Sequence, residues 1–128
     1  MSTTNKVTFS IDNVELLYSI PRPGGDLATI VRAFVFLNRS TSPAFSLLQE
    51  CFTKALQAGI LTATDGNYQV QPDWYERIHR FDESAGNEIE SMLEFQDEFV
   101  GEEVPLVTSA KFSFTEEDYN AIVRGIQQ

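Results

Sequence analysis

AGILTATDGNYQV (58–70) holds a helix stop, two short strands and the turn between them. Gly59 closes a helical pattern, because glycine enters the left-handed conformation that ends a helix without steric cost. Asp65-Gly66 is a two-residue hairpin turn, in which both central residues take positive φ. That turn sets Thr64 opposite Asn67, Ala63 opposite Tyr68 and Leu61 opposite Val70. Leu61, Ala63, Tyr68 and Val70 then share one face, and Thr62, Thr64, Asn67 and Gln69 the other. Turn chemistry and apolar alternation specify the same register.

Upstream of this stretch, Phe45, Leu48, Phe52, Ala55 and Leu56 recur at helical spacing. Ser42 is the expected cap, with Pro43 at the first helical position. RSTSP (39–43) is a turn, and before it LATIVRAFVFLN (27–38) forms a helix capped by Asp26. Leu27, Ile30, Val31, Phe34 and Leu37 make its stripe. Ala33, Val35 and Phe36 extend the apolar surface round most of the helix, so it needs cover on nearly all sides. The C-terminal segment or a second subunit supplies that cover. Further upstream, Val7, Phe9 and Ile11 alternate as a strand, Asp12 and Glu15 have the form of a capping box, and PRPGG (21–25) ends the short helix that follows.

Downstream, WYERIHRF (74–81) reads as a short helix with Trp74, Ile78 and Phe81 inward. NEIESMLEFQDEF (87–99) is a second amphipathic helix, expected to bury Ile89, Met92, Leu93 and Phe99. LVTSAKFSF (106–114) has strand character. Thr115 opens a last helix with Tyr119, Ile122, Val123 and Ile126 inward.

The 128 residues suit one domain, and with 42% hydrophobic residues, ten Phe among them, a core can form. A single cysteine, Cys51, allows neither an internal disulfide nor a multi-cysteine metal site. The polar start MSTTNKVTFS has no apolar targeting core, and no apolar run approaches the roughly 20 residues that span a bilayer. A cytoplasmic protein with no membrane partner is expected. The net charge of −10 is unevenly placed. Residues 1–80 carry seven basic and seven acidic side chains; residues 81–128 carry two basic and twelve acidic ones.

Residues 26–71 resemble the winged helix-turn-helix superfamily, and the run LQECFTKALQAGILTATDGNYQVQPDW (48–74) in particular is similar to the one found in many bacterial regulators and in small bacterial proteins built the same way. The resemblance implies an α+β fold with a winged-helix-like core over about residues 7–80. The acidic C-terminal extension, 81–128, adds a strand and helices within one domain, 1–128.

Winged-helix regulators usually lay the second of these helices in the DNA major groove, and phosphate contacts there need Lys and Arg. This helix offers Lys54 alone, next to Glu50, and the wing carries Asp65 and no basic residue. Gln49, Thr53 and Gln57 share a face that reads either as solvated or as a contact surface. The expected function is therefore a non-enzymatic protein–protein interaction or regulatory module, with a DNA-binding transcription regulator as the alternative. Its candidate interaction surface is Gln49, Thr53 and Gln57 together with the acidic Glu94, Asp97 and Glu98. The partner is a protein, with a homodimer through 27–38 as one form.

No catalytic, cofactor or metal site is expected. Glu76 and His79 form one Glu-x-x-His unit, whereas a di-iron site needs two. Cys51 reads as a buried structural thiol. Gly24-Gly25 before Asp26 lacks the Lys-Ser/Thr of a phosphate loop and reads as a turn.

Overall fold

The computed structural model describes residues 6–38, 42–110, 112 and 114–127, with the side chains at 37, 38, 126 and 127 outside that description. These residues form a mixed α+β structure of helices and two small antiparallel sheets. Expectations for the side chains of Leu37 and Ile126, and for the turn at 39–41, lie outside the described residues.

The chain opens with β1 (Lys6–Val7) and α1 (Ile11–Ser19). The strand expected through Ile11 stops at Val7 because Ser10 caps α1. Ser10 Oγ accepts the Asn13 N–H at 3.2 Å and Asn13 Oδ1 accepts the Ser10 N–H at 3.0 Å. This reciprocal box replaces the one expected at Asp12 and Glu15, and starts the helix earlier. A turn in which the Gly24 N–H donates to the Pro21 carbonyl at 2.9 Å leads to β2 (Gly25–Asp26). Asp26 Oδ1 then accepts the Thr29 N–H at 2.9 Å and caps α2 (Leu27–Asn38), as its sequence predicts. Helix α3 (Phe45–Gln57) follows. Its N-cap is Ala44, with no side-chain capping bond, so the Ser42 cap is not formed.

Gly59, at φ 77°, turns the chain from α3 into β3 (Leu61–Thr64). Asp65 at φ 52° and Gly66 at φ 81° make the hairpin turn to β4 (Asn67–Val70). The register is the expected one: Leu61 opposite Val70, Ala63 opposite Tyr68, Thr64 opposite Asn67. Strand β4 is central, since β2 pairs with its other edge, Gly25 opposite Tyr68, and the sheet order is β2-β4-β3. Leu61, Tyr68 and Val70 are buried, but Ala63 is exposed. It lies on the edge strand near the hairpin tip, beyond the reach of the core.

Then come α4 (Pro72–Ile78), α5 (Glu88–Phe99), β5 (Val104–Pro105) and α6 (Glu116–Gln127). Strand β5 pairs with β1. The residues described within 106–114 form no strand; Phe112 and Phe114 instead pack on Tyr68, with ring centroids 6.0 and 6.4 Å away. Helix α5 buries Ser91, Met92, Phe95, Gln96 and Phe99, while Ile89 and Leu93, expected inside, are exposed. The aromatic side chains set this frame. Phe99 stacks on Phe95 at 5.0 Å and on Phe9 at 5.2 Å, and meets Trp74 edge-on at 5.7 Å. Aromatic burial carries more area than an aliphatic pair, so the helix turns its rings inward.

The core spans both sheets. Helix α1 lies at its centre, against α2, α3 and α5, and α6 packs on α2. The C-terminal segment thus supplies part of the cover that α2 requires. Phe36 remains 86% exposed. No helix among the described residues is long and apolar enough to cross a membrane.

Candidate functional site

Helix α3 presents Gln49 to solvent, with Thr53 and Gln57 half-buried beside it. The C-terminal segment borders this face. The Gln57 carbonyl accepts the N–H groups of Val107 at 2.7 Å and Thr108 at 3.2 Å. Phe112 packs edge-on against Phe52 at 5.3 Å, and the Tyr119 hydroxyl donates to the Pro43 carbonyl. Lys54, the one cation of α3, is held by the protein. Its Nζ donates to the Thr8 carbonyl at 2.8 Å, pairs with Glu50 at 2.8 Å and lies over the Phe9 ring.

The acidic half of the candidate surface is divided. Arg77 makes a fork on Glu102, at 2.9 and 2.5 Å, and reaches Glu98 at 3.3 Å; Arg80 also pairs with Glu98. Glu102 holds the Arg77 guanidinium charged, and Arg77 in return keeps the Glu102 carboxyl below its ordinary range. Glu98 therefore ties α5 to α4. Glu94 and Asp97 are exposed and make no ion pair among the described residues. Gln49, Thr53 and Gln57 lie together on α3, and Glu94 and Asp97 on α5.

A groove of about 550 Å³ opens between the end of α1, α2 and α4, with Tyr18, Arg32, Phe36, Tyr75, His79 and Asp82 among its lining. His79 is sandwiched between Tyr18 at 4.3 Å and Tyr75 at 4.2 Å. The Arg22 guanidinium lies over Tyr75 at 4.5 Å. Asp82 gathers the polar groups. Its Oδ1 accepts the hydroxyls of Tyr18 at 2.7 Å and Ser91 at 2.5 Å, and its Oδ2 lies 3.0 Å from His79 Nδ1. An ionised carboxylate only accepts, so Nδ1 carries the hydrogen and Nε2 the lone pair. Nε2 is buried with no hydrogen-bond partner among the described residues. His79 thus pairs with Asp82, not with Glu76, which corrects the Glu-x-x-His expectation.

Burial pushes the His79 pKa down, against the opposing pull of Asp82. Burial alone would raise Asp82, but the hydrogen bonds from Ser91, Tyr18 and His79 outweigh it and leave its pKa lowered. Tyr18 is raised, chiefly by burial. A carboxylate-oriented imidazole has the form of a general base, but its lone-pair nitrogen is sealed from the groove's solvent. The network joins α1, the turn after α4, and α5. Sequence spacing hid it: Tyr18 and Asp82 lie 64 positions apart. Cys51 is fully buried, its thiol pushed up to about 12 by burial, and it donates to the Asn13 carbonyl at 3.6 Å. No group of three or more metal-ligating His, Cys, Asp or Glu side chains occurs among the described residues.

Stability should respond to His79. The fold favours neutral imidazole, so below about pH 6.5 the unfolded chain takes up the proton first and stability falls with pH. Urea midpoints at about pH 7.5 and about pH 5.5 should differ, and His79→Gln should flatten that slope. The lowered Asp82 acts in a separate window. Its contribution is present above the unfolded carboxyl value near 3.8 and is lost as pH falls through the folded value below it.

No protein-family model, curated protein or solved structure matches the chain.

Proposed function

We propose that this chain is a winged-helix-type module that acts through protein contacts, as an interaction or regulatory component and not as an enzyme. The order α1-β2-α2-α3-β3-β4, with β4 between β2 and β3, supports the winged-helix reading. It is the arrangement in which a hairpin wing follows the second helix of a helix-turn-helix. The observation that carries the functional reading is the engagement of Lys54 with Thr8, Glu50 and Phe9. DNA affinity comes mainly from Lys and Arg side chains that neutralise phosphates and displace the counterions condensed on the duplex. Here the one cation of α3 is occupied, Arg77 and Arg80 face Glu98 and Glu102, and the wing bears Asp65. The enclosed Nε2 and the buried thiol support the non-enzymatic part.

Fluorescence anisotropy with a mixed-sequence DNA duplex at about 20 mM salt tests this, because electrostatic binding is strongest there. No binding is expected. Binding that weakens steeply with added salt would return the chain to the DNA-binding alternative. A second reading, a homodimer through α2, rests on the exposure of Phe36. Light scattering on the wild type and on Phe36→Ser tests it: a monomer in both removes the dimer.

A further inference from the structure

We infer that the flank of α5 carrying Ile89 and Leu93, with Val100 at its C-cap, docks a basic amphipathic segment of a protein partner. This rests on the interaction-module reading and gives it a site and a partner chemistry.

Ile89, Leu93 and Val100 are 43%, 49% and 40% exposed. At about 100° per residue, their spacing puts them within about 40° of one another round the helix. Single exposed apolar side chains are ordinary, but an aligned row is the pattern by which one helix anchors another. Beside this row, at helical spacing, run Glu90, Glu94 and Asp97. Glu90 accepts the Gly86 N–H, and neither it, Glu94 nor Asp97 has an ion pair among the described residues. Helix α5 contains no Lys or Arg, and its nearby cations, Arg77 and Arg80, are held on the opposite flank by Glu98 and Glu102.

Charge selects the occupant. A second copy meeting this flank would bring Glu94 and Asp97 rows together, and like charges across an interface are disfavoured. An anionic membrane surface repels the same row. A segment with apolar residues at helical spacing and Lys or Arg along one border matches both the row and its acidic edge.

The probe is a labelled Leu/Lys amphipathic peptide of about 18 residues, or five helical turns, with a scrambled peptide of the same composition as its control. The amphipathic peptide should bind, more weakly at about 300 mM than at about 50 mM salt. Ile89→Ser/Leu93→Ser should weaken binding at least about tenfold. Glu94→Gln/Asp97→Asn should weaken it several-fold and flatten its salt dependence. Glu94 and Asp97 are exposed polar residues, so their pair should melt near wild type, circular dichroism checks that the Ile89→Ser/Leu93→Ser pair is folded, and the two pairs test the site independently. Equal binding by the scrambled peptide, or unchanged affinity in both variants, overturns the proposal. A wild-type dimer that Ile89→Ser/Leu93→Ser dissolves also overturns it, in favour of a second copy. Cross-links from a native partner falling on α3 and the β3–β4 hairpin overturn this site and leave the interaction-module reading standing.

Discussion

Phe52→Ala should destabilise the protein by about 3–5 kcal/mol, a large part of the roughly 5–15 kcal/mol by which domains are stable. Phe52 is fully buried on α3. Its ring meets Tyr68 of β4 edge-on at 5.1 Å and Phe112 of the C-terminal segment at 5.3 Å. Truncation leaves a cavity where helix, hairpin and C-terminal segment converge, and three elements with separate backbones cannot collapse into it together. The melting temperature should fall by about 10–20 °C in a thermal scan followed by circular dichroism. A double-mutant cycle with Phe112→Ala should show a coupling of about 0.5–1.5 kcal/mol. Additive effects would mean that the C-terminal segment does not share the core's cooperative unit.

Gly24→Ala should cost about 2–4 kcal/mol, well above Gly66→Ala at about 1 kcal/mol. Both glycines have positive φ, 74° and 81°, so both substitutions carry the left-handed penalty. Their surroundings differ. A Cβ at Gly24 would overlap the Tyr68 carbonyl and crowd Gln69, whereas one at Gly66 meets nothing within 4 Å. Alanine at 24 must push β2 away from β4, and β2 runs directly into the Asp26 cap of α2. Chemical denaturation of the two variants measures the difference. Equal losses would show that the β2–β4 approach contributes nothing beyond backbone strain.

The local parts of the fold are legible in the sequence. Asp65-Gly66, Gly59 and the apolar alternation of 61–70 specified the hairpin and its register, and Asp26 marked the start of α2. These signals act within a few residues. Legibility failed where two local solutions competed. Helix α5 carries two apolar rows, one through Ile89 and Leu93 and one through Met92, Phe95 and Phe99, and its own periodicity ranks them no further. Phe9 and Trp74, from distant parts of the chain, make the second row the buried one. In the same way, Phe112 and Phe114 have strand-like alternation but find aromatic partners in Tyr68, and the pairing with β1 is made earlier, at Val104–Pro105.

The candidate surfaces divide along the same line. The Gln49, Thr53 and Gln57 face follows from helical spacing alone, and so does the scarcity of cations on α3. That Lys54 bonds to Thr8, that Glu98 faces Arg77 and Arg80, and that Tyr18, His79 and Asp82 enclose a groove are contacts between remote segments. Short-range stereochemistry, in turns, caps and periodicity, is written in consecutive residues, and it fixes the hairpin, its register and the placement of charge without reference to the rest of the fold. Which apolar row is buried, and which charges are engaged, depend on the remote segments that folding brings alongside them, and no run of consecutive residues encodes that.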